Sequence, residues 1–477
     1  MSPFLVLAAI VVLLPWWARN PIRGIYILFA SALVFEIFPL SFADSLTDNV
    51  PFWWNLNAVR GDVAVGGVPI TPAEIAMLLA LVIWWASSAR STGAQMPSGR
   101  VVVAYAIFLF VVVLAEVRGL LSRGDFNISL WELRPQVYGF VMFVLAASLV
   151  RERSQLLRLA AIFFAAVGLK AILGVYRYFE TLGGVLGGQE AILAHEESYF
   201  FAMFLIGVAA ALIWYRKWKI LVPLFALSPV VALALLYNHR RVGMLALWIG
   251  LVVLAVLAIR FERSLRRYLI IGTVVAAVAG AGFLATYWDK QGGTIAQIVR
   301  PVHSIFVPDP RDAQSDAYRV AENANLTITF QTSPLVGIGF GRPMAYVFPM
   351  ADISYIYPLW NYIPHNTILW IGMRMGTIGL VAFFGLVGMA ILEAARQLRV
   401  RNDALLRGVA AFAIVAIVGQ LVVSWGDLQL ENYRNMLFFG SILGIVDALH
   451  RVPDAQARVA GVQDEVPGSQ TRIADAA

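Results

Sequence analysis

Apolar residues run along this chain in long blocks separated by short polar or basic stretches. About 20 apolar residues suffice to cross a bilayer as a helix. The pattern predicts thirteen such spans, near 4–18, 24–41, 72–88, 101–117, 133–150, 156–175, 198–214, 219–236, 243–260, 268–286, 366–391, 406–425 and 435–449. The short alternating strands of a membrane β-barrel are missing. The expected fold class is all-α, a polytopic transmembrane bundle of about 12–13 spans with one large, partly helical periplasmic loop, 287–365. Within that loop a helix is expected over 312–332, bounded by Pro310 and Pro334. Residues 1–450 read as one transmembrane domain, and the polar, aperiodic 451–477 as a disordered cytoplasmic tail. The first block has neither a basic leader nor a clear small-residue cleavage site, so it reads as a retained helix.

The connecting segments differ by side. Loops after odd-numbered spans are short and basic, as with Arg151, Arg153 and Arg158, or Arg260, Arg263, Arg266 and Arg267. The positive-inside rule puts these in the cytoplasm, with the N-terminus outside and the C-terminus inside. Three outer segments are longer and mixed in charge: 42–71, 176–197 and 287–365.

Composition agrees with a membrane class. Hydrophobic residues make up 60% and charged residues 14%, against about 45–50% and about 25% in soluble domains. A soluble enzyme with a single core is excluded. The net charge of +7 reports topology rather than nucleic-acid binding. There is no cysteine, which removes disulfides, thiolate nucleophiles and cysteine-type zinc sites.

Candidate chemistry concentrates on the outer side. His365 opens a span in Pro364-His365-Asn366-Thr367, where it can take a proton near neutral pH or merely cap the helix. Arg240 and Arg241 lie in a short outer turn against the topological bias, with no acid in that turn. Their planar forks suit phosphate, although a lipid headgroup or an ion pair with a distant segment would serve as well. Arg319 sits mid-helix, and its simplest partner is Glu322, three residues on, in a weak surface pair. His195, Glu196 and Glu197 start a span at the outer face, where they can place an acceptor or be solvated. Lys170 and Glu36 lie within spans and are expected to face the bundle interior. Phosphate-loop, HExxH and GxSxG patterns are absent, and Asp309 with Asp312 is a weak metal signal. The run Gly337-Ile338-Gly339-Phe340-Gly341 has no βαβ unit around it, so a tight bend is expected there.

These pieces occur in a telling order: a short outer turn with Arg, a large outer loop, Pro334-Leu335-Val336-Gly337-Ile338-Gly339-Phe340-Gly341, then His365-Asn366 opening a helix with Gly372, Gly376 and Gly379. Over roughly 220–400 this resembles the O-antigen ligase and polymerase superfamily of bacterial membrane glycosyltransferases. The stretch from Arg241 through Gly243 to Leu247 is similar to that family's Ser-Arg-Gly helix start, with Arg240 in place of the Ser. The resemblance implies a polyprenyl-diphosphate-linked glycan as donor, a lipid A-core or glycan acceptor, and transfer on the outer side of the inner membrane. It implies catalytic roles for Arg241, Arg319 and His365. Arg240, Asn366 and His195 are expected to bind substrate. Metal and cofactor are both expected to be none. A polymerase joining repeat units shares the donor and the residues. A transporter or flippase is the alternative from another class, motivated by the span count and by Lys170.

Overall fold

The computed structural model describes residues 3–37, 47, 49–56, 70–90, 97–186, 191–290, 293–308, 310–355 and 357–455. They form α1 (Pro3–Ala18), α2 (Ile22–Val34), α3 (Pro72–Arg90), α4 (Arg100–Leu121), α5 (Phe126–Leu149), α6 (Arg153–Tyr176), α7 (Glu197–Ala210), α8 (Trp218–Tyr237), α9 (Arg241–Phe261), α10 (Arg266–Tyr287), α11 (Gly293–Phe306), α12 (Pro310–Thr332), α13 (Thr367–Val400), α14 (Ala404–Gly426) and α15 (Tyr433–Ala448). No strand occurs among the described residues. The tail beyond residue 455 and most of 42–69 lie outside them.

Each of the thirteen predicted spans overlaps a helix, although the second, 24–41, runs past the end of α2 at Val34. Nine helices among the described residues are long and apolar enough to cross a membrane: α3, α4, α6 (continued by a π-helical turn to Thr181), α7 (continued likewise to Tyr215), α8, α9, α10, α13 and α14. The other four depart from the expectation for identifiable reasons. α1, α2 and α15 have only 16, 13 and 16 residues. α5 is long, but Glu132, Arg134 and Gln136 sit in its first half. α12 begins at Pro310, a residue suited to the first helical position because that turn's N–H groups have no partner anyway.

Burial separates the helices by composition. Every residue of α15 is buried, including Arg434, Asn435 and Asp447, and the helix packs along α5. α10 has no buried residue and touches mainly α9, so its apolar surface is left for lipid. Lys170 and Glu36 do face the interior. Lys170 Nζ meets Glu36 Oε1 at 2.5 Å and Glu197 Oε1 at 3.5 Å. Arg434 closes the network on Glu196 at 2.9 Å and Glu197 at 2.6 Å, joining α6, α7 and α15. Isolated charges at this depth would be costly; paired and hydrogen-bonded they are tolerable.

The glycine run and the Gly-containing α13 turn out to be one device. α13 is broken at Gly376 (φ 67°, ψ −164°), and the Pro334–Gly341 segment inserts into the break. Backbone bonds run from Ile338 N to Met373 O at 2.8 Å and from Thr377 N to Pro334 O at 2.8 Å. A Cβ on Gly376 would lie 2.3 Å from the carbonyl carbon and oxygen of Leu335, and one on Gly337 2.3 Å from Arg374 backbone. Both positions also have positive φ, so glycine is required on two counts. Arg374 locks the insertion: its buried guanidinium pairs with Glu132 and donates to Gly339 O at 3.1 Å and Tyr362 O at 2.8 Å. Tyr362 lies just before His365, so the glycine run fixes where that histidine stands.

Candidate functional site

One end of the bundle gathers the start of α7, the α8–α9 turn, the start of α13 and the end of α14. Buried Asn238 ties the first two, accepting from Leu193 N at 2.9 Å and donating to Ala194 O at 3.1 Å and Ser198 Oγ at 2.8 Å. The Thr367 hydroxyl ties the last two, donating to Ser424 O at 3.0 Å. His239 adopts a left-handed φ of 51°, which turns the chain between α8 and α9. The opposite end is closed by pairs among the basic loops, such as Arg407–Glu262 at 2.7 Å and Arg153–Asp403 at 3.1 Å.

α12 lies across the first end and covers a cavity of about 550 Å³. Its lining includes Arg240, Arg241, Arg319, His195, Tyr318, Asp312 and Asp427. Four of the six residues singled out from the sequence therefore share one cavity. His365 and Asn366 do not line it. Asn366 caps α13 instead, its Oδ1 accepting from Leu369 N at 3.1 Å. His365 stands behind Tyr318, whose ring meets the imidazole edge-on at 5.7 Å.

The three cavity arginines differ in their partners. Arg241 is held by both oxygens of Asp316, at 2.5 and 3.1 Å, with Asp312 at 3.9 Å. Of the readings open for it, the ion pair with a distant segment is present. Arg240 contacts Nε2 of His195, and Nδ1 of His195 faces Asp427 at 3.4 Å. Burial alone would raise the Asp427 carboxyl. The His195 hydrogen bond and charge, then His365 and Arg240, hold it well below the usual carboxylate range.

Arg319 is the exception. Glu322, its expected partner, is buried at 1% exposure and turned to His365. Glu322 Oε1 lies 3.1 Å from His365 Nδ1, and Oε2 accepts from the His365 backbone nitrogen at 3.1 Å. The weak surface pair expected for Arg319 is therefore replaced. Among the described residues Arg319 makes no hydrogen bond or ion pair, although it lines the cavity. Tyr318 Oη, also without a hydrogen-bond partner there, adds a donor. Burial, then the charge of Glu322, pushes that phenol up, so it stays protonated.

Sequence reading missed Glu322 as a histidine partner, Asp316 and Asp312 as arginine partners, and Asp427. Only Glu322 carried a signal, its i, i+3 spacing from Arg319, and that spacing pointed to the wrong residue. Asp309 lies outside the described residues, and Asp312 faces Arg241 and Arg300. No group of three or more His, Asp or Glu suited to a metal occurs among the described residues.

Chemically, the cavity offers three guanidiniums against the lining carboxylates of Asp312 and Asp427, with the imidazoles of His195 and His239 also in its lining. That arrangement suits a doubly charged anion more than an apolar or cationic ligand. Residues 230–384 match a family model described as O-antigen ligase. No curated protein matches the chain.

Proposed function

Through residues 230–384 this chain belongs to the O-antigen ligase superfamily, and on that premise we propose that it is an integral membrane glycosyltransferase. It moves a glycan from undecaprenyl diphosphate to a lipid A-core acceptor. The observation that carries this reading is the cavity-lining Arg319, a guanidinium without a carboxylate partner among the described residues, set beside Arg240 and Arg241. The basic loops at the opposite end of the bundle support a periplasmic cavity, by the positive-inside rule.

In the proposed reaction the acceptor hydroxyl attacks the anomeric carbon. The new C–O bond forms as the C–O bond to the diphosphate breaks, and the electron pair leaves on the diphosphate. Arg319, with Arg240, meets that growing charge. His365 Nε2 takes the hydroxyl proton. Direct displacement inverts the anomeric centre and needs neither nucleotide nor metal.

The test is transfer by purified, reconstituted protein, supplied with a polyprenyl-diphosphate-linked glycan with and without lipid A-core. Product formed only with lipid A-core, and lost in His365→Ala, is the expected result. A ladder of lengthened lipid-linked glycan without lipid A-core would make it a polymerase. Vesicle uptake of the glycan lipid with no new glycosidic bond would replace the enzyme reading by a transporter.

A further inference from the structure

We propose that Glu322 is the positioning residue of His365, fixing its tautomer and stabilising its charge as the proton arrives. The inference rests on the proposed glycosyl transfer. Glu322 is buried and makes two contacts to one residue: Oε1 to the ring Nδ1 at 3.1 Å and Oε2 to the backbone nitrogen at 3.1 Å. An ionised carboxylate only accepts, so Nδ1 carries the hydrogen and the lone pair lies on Nε2. Among the described residues Nε2 makes no hydrogen bond. Tyr318, packed at 5.7 Å, limits the ring's tilt. The imidazole is thus presented as a base with one free nitrogen.

The placement also sets a distance relationship. Arg319 and Glu322 lie three residues apart on α12, so they project from neighbouring turns of one face. One rigid helix thereby carries the guanidinium for the leaving diphosphate and the carboxylate that aims the base. During transfer the acceptor O–H bond breaks, the proton bonds to Nε2, and the positive charge that appears on the ring is met by Glu322 at Nδ1. The proton then leaves Nε2 to water, and the neutral ring returns. Other charged groups near the ring are Asp427 from the end of α14, with Arg240 and His195 beyond it, and Arg319 on α12.

Glu322→Gln keeps the shape and removes the charge. The experiment pairs two readouts on reconstituted full-length protein. In the transfer assay kcat is expected to fall on the order of 10²-fold or more, with donor KM within about threefold. Glu322→Asp should recover part of the loss. In parallel, the tautomer of the His365 ring is read by 15N NMR on histidine-labelled protein, with His365 assigned by its absence in His365→Ala. The Nδ1–H tautomer is expected to dominate in wild type and to lose that dominance in Glu322→Gln. An unchanged tautomer balance, or a donor KM rise that accounts for the whole loss, overturns the positioning role alone. Absence of transfer by the wild type, with the tautomer difference intact, overturns the functional reading instead.

Discussion

Glu322 Oε1 stands 3.1 Å from His365 Nδ1, and this contact takes from Arg319 the carboxylate that helical spacing assigns to it. The consequence reaches the cavity. With Glu322 turned inward, Arg319 is left as an arginine with no ion pair among the described residues.

An arginine held by no partner contributes little to folding and much to binding. Arg319→Ala is expected to leave the melting temperature unchanged while lowering kcat/KM for the donor by roughly 10²–10³-fold. Arg319→Lys should recover only part, because the fork is lost. A stability loss matching the activity loss would assign Arg319 to the scaffold.

Arg241 should behave in the opposite way. Its removal takes from Asp316 its two-point cation, while Asp312 keeps Arg300, so Arg241→Ala should lower both stability and transfer. Asp316→Asn should cost about 1 kcal/mol or less, because Asp316 is partly exposed. Full transfer by Arg241→Ala would show that Arg240 and Arg319 carry the donor contact without it. Denaturation midpoints measured beside initial rates separate the two cases.

Gly376 is a backbone position and not a packing one. Gly376→Ala must adopt φ near 67° with a Cβ 2.3 Å from the Leu335 backbone, which should cost roughly 2–3 kcal/mol. It should also displace the insertion that holds Tyr362 and His365. Gly385→Ala in the same helix meets nothing within 4 Å and should be neutral or slightly stabilising. Equal effects of the two substitutions would remove the special role of the break.

The buried network around Lys170 predicts strong non-additivity. Lys170→Met alone leaves Glu36 and Glu197 short of a cation and should cost about 3–5 kcal/mol. Adding Glu36→Gln should recover part of that, as a double-mutant cycle would read. Additive losses would mean the contacts at 2.5 and 3.5 Å do not couple.

Asp427 gives a pH dependence with a definite sign. Its carboxyl is depressed in the folded protein, so its contribution is complete above the unfolded value of about 3.9 and is lost only as pH falls through the lower folded value. The gap in melting temperature between wild type and Asp427→Asn should therefore not close between pH 8 and 5. Closure of the gap within that window would show that Asp427 is not held ionised there.

Much of the architecture was already legible in the linear pattern, because bilayer spanning is a property of contiguous composition. A block of apolar residues is helical wherever it lies, since lipid leaves no other way to satisfy its backbone. The helix over 312–332, Pro310 at its start and the tight bend of the glycine run also follow from local chemistry. So do the basic loops, and the candidate status of Arg240, Arg241 and His365, whereas that of Arg319 came from the family resemblance. The span count is where the local criterion weakens. α5 and α15 carry Glu132, Arg134, Arg434 and Asp447, which composition penalises but which neighbouring helices pair or bury.

What only the tertiary structure decided is which charge meets which. Arg241 finds Asp316 across 75 residues, His195 finds Asp427 across 232, and Arg374 finds Glu132 across 242. Local spacing can propose a partner such as Glu322 for Arg319, but a charge goes to whatever group the fold brings within about 4 Å at low dielectric. That choice belongs to how the helices pack, among them α12 against α13 with Asp316 brought to Arg241 at the start of α9, and linear order does not encode it.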